Sequence, residues 1–502
     1  MKKYTKILKT AIALVLVVAM LGSVVPAMAY ATDNANDQQS IQEHLSFVES
    51  AILTLRSFIQ RILDFFKNLF KGEDETDDEL HAVKYEYYNH LSDAVNDINL
   101  GTAGSNPNTT AENASVAVYN DENGLINVLL LKDITANETI VVSADMIINL
   151  NGYTFSTVGI TAVEIISGDV VIVGSKAGSS VEVLDSASAR AIIQQDGNLK
   201  LIGGTYAVFD CAGTTSCIRV SGGNSIVDAA DITAFGSGGT VRGLEAGANS
   251  CVEINNSNID VKCTDNNAHG LYIAGNGTIN NSKLVVTAEL KSRALNVAAA
   301  GVVTATETEF IGYTTALVKS VSNSQGILNS GALTLNNCYA YGNHSAISNA
   351  GELYVYGGTY EGPGHGGIYF GNINAPAYVH DATLRYCDQK EGLDASKADF
   401  NDAGFYIGGG SDRNNVVVYM DNCDIGGDVW ALILRGSSNE HNNTLYISNS
   451  RLTGKGYVRV DNNTHRLFIG AGNNFTKELI ADLNKQPLAD GTIIVTDNTY
   501  RY

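Results

Sequence analysis

Gly326-Ile-Leu-Asn-Ser-Gly-Ala-Leu-Thr-Leu-Asn-Asn-Cys-Tyr-Ala340 and Ala346-Ile-Ser-Asn-Ala-Gly-Glu-Leu-Tyr-Val-Tyr-Gly-Gly-Thr-Tyr360 are two copies of one pattern. Set twenty residues apart, they match at Ile327/Ile347, Asn329/Asn349, Gly331/Gly351, Leu333/Leu353 and Leu335/Val355. Each reads as a short strand, a Gly turn, an alternating strand, an Asn or Gly corner and a further strand. A period in the twenties built of strands and turns predicts a solenoid.

The corner recurs along the chain at Gly203, Ala229, Asn256, Asn281, Glu307, Asn337, Gly357, Asp381, Asn422 and Asn449. Asn and Gly dominate because a corner with positive φ selects them. A small residue follows each corner: Gly204, Ala230, Ser257, Ser282, Thr308, Cys338, Gly358, Ala382, Cys423 and Ser450. Two positions on comes an apolar residue predicted to point inward: Tyr206, Ile232, Ile259, Leu284, Phe310, Ala340, Tyr360, Leu384, Ile425 and Leu452. The long step from Ala382 to Cys423 implies an insertion or an unrecognised rung. One coil of short strands cannot bury its own apolar side chains. Coils stacked about 4.8 Å apart pair their backbones and bury like over like.

The predicted class is all-β: a right-handed parallel β-helix solenoid with an N-terminal amphipathic helix and helical end caps. Over Ile140 to Ile469 the repeat with its Asn-rich corners resembles the parallel β-helix of the pectate-lyase-like superfamily. The resemblance implies that any enzyme of this type would be a polysaccharide lyase, with Ca²⁺ on carboxylates and an Arg or Lys base, or a glycoside hydrolase with an Asp cluster and a Gly-His-Gly element. Gly364-His365-Gly366 matches the last of these. The accompanying Asn-Thr-Asp and Asp-Asp are absent from the repeat region, where Asp265-Asn266 puts an amide in place of a second carboxylate.

Lys2, Lys3, Lys6 and Lys9, the apolar run Ala11 to Leu21 and Pro26-Ala27-Met28-Ala29 read as a signal peptide over 1–29. A secreted or extracellular location follows, with association at the cell surface an open possibility. Residues 30–78 hold an amphipathic heptad helix and the acidic linker Glu73 to Glu79 begins at their end. Ile41, Leu45, Val48, Ile52, Leu55, Ile59, Ile62, Phe66 and Leu69 form its seam. That seam needs an occupant: a second copy, a wall or membrane component, or the solenoid itself. A helix over Ala82 to Leu100, with Tyr85, Leu91, Ala94, Val95 and Ile98 on its apolar face, is expected within an N-terminal cap region, 79–125. The solenoid is predicted over 126–474. A C-terminal cap, 475–502, combines a helix over Phe475 to Leu483 with a strand over Thr492 to Thr496. Caps are expected because both ends of a solenoid expose strand edges.

The formal net charge is −21, and removing the signal segment makes it more negative. That excludes a nucleic-acid binder, which needs clustered Lys and Arg. Of seven cysteines, Cys338 and Cys423 fall in the small inward column and read as core. Cys211–Cys217 and Cys251–Cys263 bridges are open alternatives.

One strand of each coil places Ile193, Arg219, Glu245, Tyr272, Asn296, Leu328, Tyr369, Tyr406, Ile433 and Arg459 outward, just after its inward apolar residue. Arg190, Arg242, His269 and Arg293 stand just before that strand, with His344 and His365 nearby. Aromatic faces and Arg forks suit sugars and uronates. Tyr369, Tyr406, Tyr272, Trp430 and Arg219 are therefore the candidate ligand-binding residues. The insertion Cys387 to Ala403 carries Glu391, Asp394, Asp399 and Asp402 beside Arg385. Asp394, Asp399, Asp402, Arg385 and His365 are the candidate catalytic residues, and the carboxylates are the candidate calcium ligands. The expectation is a β-helix protein that binds a polysaccharide, a cell-surface glycan or a surface partner along one face, as an adhesin does. The alternative is a lyase or hydrolase acting on acidic polysaccharide.

Overall fold

A computed structural model of the chain describes residues 84–102, 107–185, 187–315, 324–371, 375–387, 403–407, 416–427, 430–434, 443–454, 457–460, 466–475 and 493–495. The signal segment, the heptad helix, the acidic linker and the expected helix from Phe475 lie wholly or almost wholly outside these residues. So do Glu391, Asp394, Asp399 and Asp402.

The fold is a parallel β-solenoid with three sheets. The first sheet runs from Ile140–Val142 to Tyr457–Val460, and the parallel strands of the second from Ile126–Leu130 to Ile493–Val495. The third has 14 strands, from Ile134–Ala136 to Asn474–Phe475. Thr215–Asp228 and Thr240–Asn255 run through both the first and second sheets, with a register shift between Val220 and Gly222.

The two quoted stretches stack as their match requires. Leu333 lies over Leu353, Leu335 over Val355 and Ile327 over Ile347, all buried. On the third sheet Tyr206, Ile232, Ile259, Leu284 and Phe310 form one continuous inward column. Between the coils of the first pair, Asn329 Nδ2 donates to Asn349 Oδ1 at 2.7 Å, with both amides fully buried. Buried amides persist only when paired. Asn329 completes its set through Glu352 O at 2.8 Å and Gly331 N at 3.1 Å.

All ten predicted corner residues have positive φ. The corner N–H donates to the next coil, as Asn281 N does to Thr306 O (3.0 Å) and Glu307 N to Asn336 O (2.9 Å). Where the residue after the corner is Ser, Thr or Cys, it is buried and turns its side chain back. Ser257 Oγ donates to Asn255 O at 2.7 Å, Ser282 Oγ to Asn280 O at 2.8 Å and Ser450 Oγ to Ser448 O at 2.7 Å. The same hydroxyls accept from the preceding coil: Ser257 N donates to Ser282 Oγ at 3.1 Å and Cys423 N to Ser450 Oγ at 3.0 Å. A small polar side chain thus satisfies donors and acceptors that the left-handed turn removes from the ladder. Cys338 and Cys423 occupy the same column, and burial pushes their thiols up to about 11 and about 12. None of the seven cysteines is in a disulfide, so neither considered bridge is present.

Glu307 is the one long side chain among these corners, at φ 49. Its neighbour Asn281 already bonds Asn256 through Nδ2 at 2.9 Å. Glu307→Asn is expected to stabilise the protein by about 0.5–1 kcal/mol, because Asn tolerates the left-handed region and extends an amide ladder. A urea midpoint that falls instead would contradict this account of the corners.

The step from Ala382 to Cys423 is a single coil. Leu384 pairs directly with Ile425, so the extra residues are an insertion between the third and first sheets and no rung is missing.

The N-terminal region differs from expectation. The helix predicted over Ala82 to Leu100 is a strand, Glu86–Tyr88, followed by a shorter helix, α1, Leu91–Asn99. The strand pairs antiparallel with Val116–Asn120, which pairs antiparallel with Ile126–Leu130. Tyr85 is exposed ahead of the strand, its ring tilted by 52° against that of Tyr119 at 5.1 Å, and is not on a helix face. Sheet pairing overrides local helical periodicity here. Leu91, Ala94, Val95 and Ile98 of α1 are buried as predicted. Asn99 supplies both groups of a missing strand. Its Nδ2 donates to Val141 O at 2.7 Å and its Oδ1 accepts from Ser143 N at 2.9 Å, at the first strand of the first sheet.

Candidate functional site: the outward face of the first sheet

Register places two polar columns side by side on the first sheet. One contains Ser216, Arg242, His269, Arg293 and Gln325 on successive coils. The other contains Arg219, Glu245, Tyr272 and Asn296 and continues through Leu328, Ser348, Tyr369, Tyr406 and Ile433 to Arg459. The predicted ligand residues Arg219, Tyr272, Tyr369 and Tyr406 therefore share one column. Tyr272 and Tyr369 stand four coil steps apart, about 19 Å at sheet spacing. The column holds two clusters rather than one site.

The first cluster is cationic. Arg242 Nη1 pairs with Glu245 Oε2 at 3.1 Å and lies over the Tyr272 ring at 5.0 Å. Ser216 Oγ donates to the same Glu245 oxygen at 2.5 Å. Burial works against the Glu245 carboxylate, but Ser216 and the Arg242, Arg219 and Arg190 guanidiniums outweigh it and hold its pKa below the usual range. Burial, with Arg219 and Arg242 close by, lowers that of Arg190. Arg293 donates from Nε to Gln325 Oε1 at 3.4 Å, and burial lowers its pKa. His269, between the two Arg coils, is 7% exposed. Burial, with Arg293, Arg242 and Lys291 adding repulsion, brings its pKa down to about 3. The imidazole is neutral at pH 7.

The second cluster is aromatic. His344 and His365 lie 4.3 Å apart between ring centroids. His365 meets Tyr369 and Tyr406 edge-on at 4.8 and 4.7 Å, and the two Tyr rings stack at 5.3 Å. Burial and the adjoining His365 bring His344 down to about 3. Burial, then Tyr406, raises the Tyr369 phenol. Tyr406 is only 5% exposed, and with Ala403 and Ile433 it forms a small apolar cluster on the outside of the ladder. Of this pair Tyr369 is the more accessible.

Arg385 sits elsewhere, on the third sheet, where its Nη2 pairs with Asp424 Oδ2 at 2.6 Å. Trp430 begins the strand Trp430–Leu434, paired through its backbone with Ala403. Among the described residues no three His, Cys, Asp or Glu side chains converge as metal ligands. The expected carboxylate ligands Asp394, Asp399 and Asp402 lie outside those residues.

The second sheet carries an aromatic column that is absent from the candidate ligand residues named above. Tyr354, Tyr378, Tyr419, Tyr446 and Phe468 stack at 5.2, 5.3, 4.9 and 4.6 Å, with interplanar angles of 14°, 7°, 7° and 13°. The signal was present: each ring stands between two inward apolar residues, as Tyr354 does between Leu333's partner Leu353 and Val355. Nearly parallel rings cover one another's faces, so the column supports the sheet more than it offers a platform.

No protein-family model, no curated protein and no solved structure matches this chain.

Proposed function

We infer that this is a secreted or cell-surface solenoid, of the pectate-lyase-like kind, which binds an extended glycan along the outward face of its first sheet. One observation carries the reading. In a chain of net charge −21, Arg190, Arg219 and Arg242 gather on one face around the carboxylate of Glu245, Arg242 lies over the ring of Tyr272, and Arg293 stands two coils further along the column of Arg242. Guanidinium forks and aromatic rings are the groups that recognise sugar acids and sugar faces. The N-terminal basic and apolar segments support export. The heptad helix over 41–70 supports self-association or docking to a surface partner. The bonds from Asn99 to Val141 and Ser143 support α1 as the cover of the first coil's open edge.

A glycan array probed with the mature protein tests the reading. Retention should grow with oligosaccharide length, fall with added salt and weaken several-fold in Arg219→Gln. An array with no retained glycan, or one on which Arg219→Gln binds unchanged, would remove the face from consideration. New reducing ends or unsaturated-uronate absorbance during incubation would instead establish a hydrolase or a lyase.

A further inference from the structure

We propose that Arg242, His269 and Arg293 form a calcium-independent clamp for one oxyanion group, a carboxylate or a sulfate ester, on the bound sugar. This rests on the glycan-binding reading above and deepens it. Three consecutive coils present these side chains in one register column, guanidinium, imidazole, guanidinium. His269 is more than nine-tenths buried, and its Nδ1 meets no hydrogen-bond partner. Arg242 Nε is likewise buried without a partner. A buried polar atom without a partner destabilises a fold unless something else satisfies it.

Charge points the same way. Arg242 is balanced by Glu245, while Arg293 has an amide oxygen as its partner and no carboxylate among the described residues. Lys291 adds a further positive charge near His269. A half-buried guanidinium with no counter-charge is destabilised until an anion arrives. This donor set repels a divalent cation, so an acid group would be held directly and not through a bridging metal. The neutral imidazole contributes an N–H, the guanidiniums contribute charge-assisted N–H groups, and Tyr272, already under Arg242, forms a wall beside them.

Calorimetry tests the clamp with four probes: a trigalacturonate, its carboxyl-reduced form, a sulfated oligosaccharide and inorganic sulfate, each with and without EDTA. Ring resonances of His269 are followed in parallel. The clamp predicts that at least one charged oligosaccharide binds about ten-fold or more tighter than the uncharged form. EDTA should leave that preference unchanged, and the His269 signals should shift on binding. Arg293→Gln and His269→Gln should abolish the preference, bringing the affinity for the charged form down to that for the uncharged one. Preference for the carboxylate or for the sulfate identifies the acid. Equal binding of charged and uncharged forms, loss of the preference in EDTA, or its survival in both variants would overturn the clamp. If no oligosaccharide binds but inorganic sulfate shifts the His269 signals in the wild type and not in Arg293→Gln, the clamp stands and the glycan reading falls.

Discussion

Gly351→Ala is expected to destabilise the solenoid by about 3–5 kcal/mol, summing overpacking and lost hydrogen bonds. A Cβ at this position would overlap the carbonyl oxygen of Gly331 on the adjacent coil, and that obstacle is backbone. Gly331 stands in the same relation to Gly301. Relief requires the coils to separate, which breaks Glu352 N to Gly331 O at 2.8 Å and strains Asn349 Nδ2 to Gly351 O at 2.9 Å. Gly371→Ala is the control. Its Cβ would meet only Tyr369 at 3.8 Å, so a change under about 0.5 kcal/mol is expected. Urea denaturation of the two variants checks both. A Gly351→Ala protein as stable as the control would mean that the coils are not packed as closely as the register requires.

Acid should weaken the fold well above the carboxylate range. His269 and His344 are both held at about 3 when folded, against about 6.5 in an unfolded chain. The unfolded state therefore takes up protons as pH falls through 6.5, and the folded state does not until about 3. Stability is complete above 6.5 and declines from there down to about 3. Between pH 8 and pH 5 each histidine accounts for about 2 kcal/mol. Burial is the main obstacle to protonation at both sites, and the charges that add to it differ: Arg293, Arg242 and Lys291 around His269, and His365 beside His344. His344→Asn and His269→Asn should each flatten the profile over this range by about that amount. Urea midpoints measured across pH provide the check. Profiles that run parallel to the wild type would show that neither imidazole is kept neutral by its surroundings.

The interior was legible before any coordinates. Leu333 over Leu353, the inward column through Phe310, and ten corners at positive φ all followed from residue spacing. The reason is that each coil meets the same surroundings as its neighbours, so inward and corner positions face one selection repeated along the chain. Arg242, His269 and Arg293 were legible as residues standing just before one strand of their coils, on a face with scattered cations, for the same reason, since register carries outward residues along with inward ones.

Accessibility and pairing across the outside were not legible. Tyr406 and Ile433 point outward yet are buried, because of packing on the outside of the ladder that alternation does not encode. Arg385 pairs with Asp424 on the third sheet, thirty-nine residues away in the chain. Glu86–Tyr88 left its helical periodicity to pair with Val116–Asn120, and the edge groups at Val141 and Ser143 found their partner in Asn99. Repetition along the chain thus determined the columns and the turns between them. Which side chains stay open to a ligand, and how the first coil is finished, were decided only where distant segments meet, since the energy of those contacts belongs to pairs that no local pattern contains.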